Sequence, residues 1–79
     1  MRRVAVDSET IASIGYEPRS CELELEFRES GDIYRYFHVS ADEYREFMAA
    51  ESKGSYLNRV FKARDHAYRV VHPGRRSLT

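Results

Sequence analysis

Cys21-Glu22-Leu23-Glu24-Leu25-Glu26-Phe27-Arg28, Glu29-Ser30-Gly31-Asp32 and Ile33-Tyr34-Arg35-Tyr36-Phe37-His38-Val39 read, in that order, as strand, turn and strand. Cys21, Leu23, Leu25 and Phe27 alternate with Glu22, Glu24 and Glu26, the period of a half-buried strand. Ser30-Gly31 supplies the turn, because glycine takes positive φ without steric cost. A loop of Ser30-Gly31, or of Glu29 to Asp32, sets Phe27 opposite Tyr34, Glu26 opposite Arg35 and Leu25 opposite Tyr36. Tyr34 and Tyr36 then share the leucine face, and Glu26 and Arg35 form an outer pair. A three-residue loop would turn the second strand over and put Arg35 on the leucine face. The first register is therefore expected. It leaves Phe37, opposite Glu24, on the outer face unless a bulge near Phe37-His38 turns it inward.

Upstream, residues 1–8 read as a flexible lead-in, and Glu9 to Tyr16 as a first strand with Ala12, Ile14 and Tyr16 on one face. Glu17-Pro18-Arg19-Ser20 is a turn. Downstream, Ser40 and Glu43 form an S-x-x-E capping box, with Val39 and Tyr44 placed as a hydrophobic staple. The helix is expected over Ala41 to Ser52, with Tyr44, Phe47, Met48 and Glu51 along one stripe. Lys53-Gly54 ends it, and Ser55 caps a second helix from Tyr56 to about Arg64. Helical spacing aligns Leu57, Val60, Phe61 and Arg64 on one side, and Arg59, Lys62 and His66 on another. Ala67 to Val71 reads as a last short strand or an extended segment, followed by the break His72-Pro73-Gly74. The expected fold is thus α+β, a three- to four-stranded antiparallel meander packed on one face by two helices. Residues 1–79 are expected to form a single domain, with a core over about 8–71 and a flexible basic tail over 72–79 that holds Arg75 and Arg76.

Seventy-nine residues, 42% hydrophobic and 33% charged, suit one small core. No run approaches the roughly 20 apolar residues of a membrane span, and Met1 to Asp7 lacks the apolar centre of a secretory signal. Cys21 has no partner for an internal disulfide, which fits a reducing cytoplasm, and its place in the apolar row reads as a buried small hydrophobe. Net charge is zero but uneven. Residues 1–51 hold 6 Lys/Arg against 12 Asp/Glu, a balance of −6, and residues 52–79 hold 7 against 1, a balance of +6. The basic third can bind an anionic partner locally or neutralise the acidic part across the fold.

The succession Ile14-Gly15-Tyr16, the Leu-Glu-Leu-Glu-Phe strand, Tyr34-Arg35-Tyr36, Val39, Tyr44, Ser52-Lys53-Gly54-Ser55-Tyr56-Leu57-Asn58 and the basic stretch to Tyr68-Arg69 resembles the KTSC domain. The resemblance covers roughly residues 8–70 and centres on the Y-x-Y of Tyr34 and Tyr36. That family takes its name from a segment at the C-terminus of some lysyl-tRNA synthetases and also occurs as small stand-alone bacterial proteins. RNA binding is the role the resemblance implies.

An enzyme is not expected. His38, His66 and His72 have no second ligand at a metal-site spacing, and no glycine-rich phosphate loop is present. No metal or other cofactor is expected. Glu22, Glu24 and Glu26 read as a solvated row, whose charge would repel phosphate from the outer sheet face. Tyr34 and Tyr36 read as core residues with hydroxyls at the rim. RNA or tRNA, if bound, is expected at Arg59, Lys62, Arg64 and Arg69, with Asn58 and Tyr68 adding base contacts and Arg75 and Arg76 assisting. Clustering of those cations on an open face favours nucleic acid; pairing with Glu22, Glu24 or Asp42 favours the alternative, a protein-interaction module, monomeric or weakly dimeric, with an open sheet edge.

Overall fold

A computed structural model describes residues 1–72 and Gly74. One antiparallel sheet holds five strands in chain order: β1 (Arg3–Ala5), β2 (Ile11–Glu17), β3 (Glu22–Phe27), β4 (Ile33–Tyr36) and β5 (Tyr68–His72). Helix α1 (Ala41–Ala49) and a second helical segment cover the leucine face. The fold is α+β as expected, with a strand added at each edge of the meander.

The lead-in over residues 1–8 is not a loose segment. Arg3 pairs with Gly15 and Ala5 with Ser13. Gly15 makes this close approach possible, since a Cβ there would lie 2.7 Å from the Arg2 carbonyl oxygen. Arg28 fastens the return: its guanidinium donates to the Ser8 carbonyl at 2.8 Å and the Val6 carbonyl at 3.1 Å. At the other edge the segment expected over Ala67 to Val71 forms strand β5, which starts at Tyr68 and extends to His72, paired with Ile33. Gly74, expected in the flexible tail, is buried and donates its N–H to Asp32 Oδ1 at 2.6 Å. Arg75 and Arg76 lie outside the described residues.

The central hairpin keeps the expected parity but slides by two residues. Leu25 faces Tyr34, Leu23 faces Tyr36, and Arg35 meets Glu24 instead of Glu26. The loop is Arg28 to Gly31: the Phe27 N–H donates to the Asp32 carbonyl at 2.9 Å, and Gly31 turns at φ 77°. This loop frees Arg28 for its contacts with Val6 and Ser8. Phe37 stays half-buried beyond the end of β4, and His38 breaks the strand at φ 59°. Cys21 also sits at positive φ, before β3, half-buried and not in the core row.

Both arms of the capping box form, with Ser40 Oγ accepting from the Glu43 N–H at 3.1 Å. Helix α1 ends sooner than expected, at Ala49. Lys53 Nζ reaches back to the Met48 and Ala50 carbonyls at 2.9 and 2.7 Å and satisfies the helix end. Ser52, not Ser55, caps the second segment. That segment opens as α2 (Lys53–Tyr56), widens into a π turn over Leu57–Phe61 and closes as a 3₁₀ turn over Lys62–Arg64. Gly54 therefore lies inside a helix, where a Cβ would meet Thr10 Oγ1 at 2.7 Å.

Ile11, Ile14, Leu23, Leu25, Val39, Phe47, Leu57 and Phe61 are buried in the core. A bulge between Ile11 and Ser13 brings Ile11 inward, where strict alternation would have placed Ala12. Phe61 meets Tyr36 edge-on at 4.9 Å and Phe47 at 5.3 Å, tying sheet to helices.

Gly15→Ala is expected to push β1 off the sheet and cost about 1–3 kcal/mol, the usual range for forcing atoms into a packed site. Urea denaturation with amide exchange checks this: amide protection of β1 should fall together with the midpoint.

Candidate functional site: a tyrosine groove beside the last strand

Residues two apart on a strand share a face, so Tyr34 and Tyr36 of β4 both point toward the helices. Strand β5 sets Val70 beside Tyr34 and Tyr68 beside Tyr36. The helical cover stops short of β5: Tyr68 is 57% exposed and Val70 46% exposed. The Tyr34 and Tyr68 rings stack at 5.2 Å and 12°, Tyr36 tilts against Tyr68 at 5.5 Å, and Phe27 meets Tyr34 edge-on at 5.1 Å. Together with Phe61 these rings line an open groove of about 860 Å³. Its rim carries Glu9, Glu29, Asp32 and Asp65, with Lys62 and His66.

The two tyrosines of the Y-x-Y differ in environment. Tyr36 is a core residue, 7% exposed, and burial pushes its hydroxyl up to about 12, with Tyr34 and Tyr68 adding to the rise. Tyr34 is half-buried and forms part of the groove.

The cations aligned by helical spacing do not form one surface. The π turn and the 3₁₀ turn depart from the 3.6-residue period on which that alignment rested. Arg59 and Asn58 are exposed beside a separate hollow shared with Asp7, Glu9 and Glu51. Lys62 lies on the groove rim. Arg64 is committed to Glu43 at 3.0 Å and Glu46 at 3.4 Å, partners other than the Glu22, Glu24 or Asp42 anticipated. Arg69 is exposed and faces Arg35 across the ladder, away from the groove. Tyr68 alone of the six residues enters the groove as an aromatic surface. Phe27, Glu29, Asp65 and His66 also line it, though none was among the expected binding residues, and the pairing of β5 with β4 brings Tyr68 to them.

The outer sheet face is not a solvated acidic row. Glu24 is 3% exposed and lies between two guanidiniums, Arg3 Nη1 at 2.9 Å and Arg35 Nη2 at 2.6 Å. Glu26 accepts from Ser13 Oγ at 2.8 Å, and Arg3 Nε donates to that same hydroxyl at 3.2 Å. A buried carboxylate needs such partners.

Glu43 is the second charged node. It closes the capping box and binds Arg64, and His66 Nε2 lies 2.8 Å from its Oε2. The His66 ring stacks on Phe61 at 5.0 Å. Burial works against the Glu43 charge, but hydrogen bonds from His66, Arg64 and the Ser40 N–H outweigh it and hold the carboxyl below its ordinary range. Among the described residues no three His, Cys, Asp or Glu side chains converge as metal ligands.

Comparison with known proteins places this geometry in a family. Residues 7–64 match the KTSC domain. An uncharacterised protein of Stutzerimonas stutzeri is 40% identical over 68 residues, covering 86% of this chain and 94% of the relative. A protein of Tsukamurella paurometabola is 36% identical over 62 residues, covering 78% and 91%. The crystal structure of a KTSC domain protein from Yersinia pestis superposes with a TM-score of 0.82 at 38% identity, covering 89% of this chain and 96% of that one.

Two titrations check the charged and phenolic groups. Glu43 has a lowered folded value, so its stabilisation is present above the unfolded carboxyl value and is lost as pH falls through the folded one. Glu43→Gln should flatten the acid limb of stability against pH. Tyr36 has a raised folded value, so its contribution is present below pH 10 and is lost as pH rises through about 12. Tyrosinate absorbance of the folded protein should show a step near pH 12 that Tyr36→Phe removes.

Proposed function

This chain belongs to the KTSC domain family, and from that footing we propose that it is a small non-catalytic docking module whose site is the tyrosine groove and whose partner is another protein. The observation that carries this reading is the stacked Tyr34–Tyr68 pair left open next to an edge strand. Among the described residues no strand pairs with the outer side of β5, and Tyr68 and Val70 expose apolar surface on one face. An extended segment added to β5 would pair with that side and cover that surface. The one histidine on the groove rim is spent on Glu43 and Phe61, which argues against acid–base work there. No helix among the described residues is long and apolar enough to cross a membrane, and a lone unpaired cysteine suits a reducing compartment such as the cytoplasm.

RNA is the second reading. Tyr68 offers a ring on which a base can stack, and Arg59, Lys62 and Arg69 carry no ion pair among the described residues. Against it stand the dispersal of these cations, the commitment of Arg64 and the carboxylates of the groove rim, which repel phosphate.

A titration of extended peptides and of a mixed RNA pool containing tRNA, each at several salt concentrations, separates the two. The docking reading predicts peptide binding that Tyr68→Ala weakens by about 10-fold or more, the scale of an aromatic interface anchor. RNA binding that falls steeply with salt and loses slope in Arg59→Ala/Lys62→Ala/Arg69→Ala would establish the RNA reading in its place.

A further inference from the structure

Resting on the groove reading, we infer that the docked segment is cationic: a Lys or Arg side chain of an extended partner peptide lies on the Tyr68 ring, among the rim carboxylates. Two independent features lead there. Tyr68 stacks on Tyr34 at 12° and meets Tyr36 at 5.5 Å, yet the residue is 57% exposed, so part of its aromatic surface remains open to a partner. An aromatic face carries negative π density and attracts an ammonium or guanidinium group.

The second feature is how the fold distributes its charge pairs. Arg3 and Arg35 are given to Glu24, and Arg64 to Glu43 and Glu46. Glu9, Glu29 and Asp65 on the groove rim are exposed and carry no ion pair among the described residues. Lys62 is the single Lys or Arg among the described lining residues. Uncompensated carboxylates around a concave, aromatic surface give it a negative potential that draws in cations and disfavours phosphate. On the outer sheet face, by contrast, the buried carboxylate Glu24 is neutralised from within by Arg3 and Arg35. At the groove Glu9, Glu29 and Asp65 have no such cation among the described residues, and β5 supplies the backbone edge that would hold a partner extended.

The test uses the full chain and three peptides of equal length, identical except for Lys/Arg, Gln or Glu at alternate positions. Affinities are read by fluorescence anisotropy. The basic peptide should bind at least 10-fold tighter than the Gln peptide, and the advantage should shrink between low and high salt. Glu9→Gln/Glu29→Gln/Asp65→Asn should abolish the preference. Tyr68→Leu, which keeps an apolar side chain, should weaken the basic peptide more than the Gln peptide, with circular dichroism confirming that both variants fold. Equal binding of basic and Gln peptides overturns the cationic inference and leaves the docking module standing. Absence of binding by any of the three overturns both. Tight binding of single-stranded RNA that Tyr68→Ala abolishes also overturns the cationic inference.

Discussion

The parity of the β3–β4 ladder decides on which face each aromatic group of the sheet's centre lies. A slip of one residue would send Tyr34 and Tyr36 outward and Arg35 into the core. Two interactions hold the parity. Leu23 and Leu25 require an apolar partner face, which Tyr36 and Tyr34 supply. On the reverse side Glu24 is almost fully buried and needs a cation opposite it, which Arg35 supplies from β4 and Arg3 from β1. A buried carboxylate stripped of its partners is strongly destabilising. The ion triad therefore acts as a register lock and joins three of the five strands.

With parity held, the remaining geometry follows from a mismatch in width. The sheet is five strands wide, while the helices pack on its central part through Phe47, Leu57 and Phe61. Their cover reaches Tyr36, which is buried, and thins over Tyr34, which is half-buried. Tyr68 and Val70 stay exposed. The groove is thus the uncovered end of the same apolar face that makes the core. Its walls rest on well-fixed elements: the hairpin loop closed at Gly31, and the Glu43–His66–Arg64 node that binds the end of the second helical segment to α1.

Local signals were legible where local physics decides. The alternation of β3, the Ser40–Glu43 capping box and the shared face of Tyr34 and Tyr36 all have short-range causes. The two-residue slide of the hairpin depends on Arg28 reaching carbonyls of the lead-in, a contact 20 or more residues away in sequence. Strand β1 is three residues long and lacks alternation; it exists because Gly15 leaves room for it. The alignment of Arg59, Lys62 and His66 assumed a regular helix, and the π turn and the 3₁₀ turn break that period. Tyr68 stood in a short run whose partner strand was not visible, so its stacking on Tyr34 could not be read in advance.

Mapping the bound surface tests the docking claim most directly. Protein uniformly labelled with 15N and 13C would be titrated with a Lys/Arg-bearing extended peptide and followed by NMR on ring and amide signals. The rings of Tyr34 and Tyr68 and the amides of Val70 and Glu29 should move together and saturate at one concentration. Shifts confined to Arg59, Arg64 and Arg69, with both tyrosine rings unmoved, would contradict it.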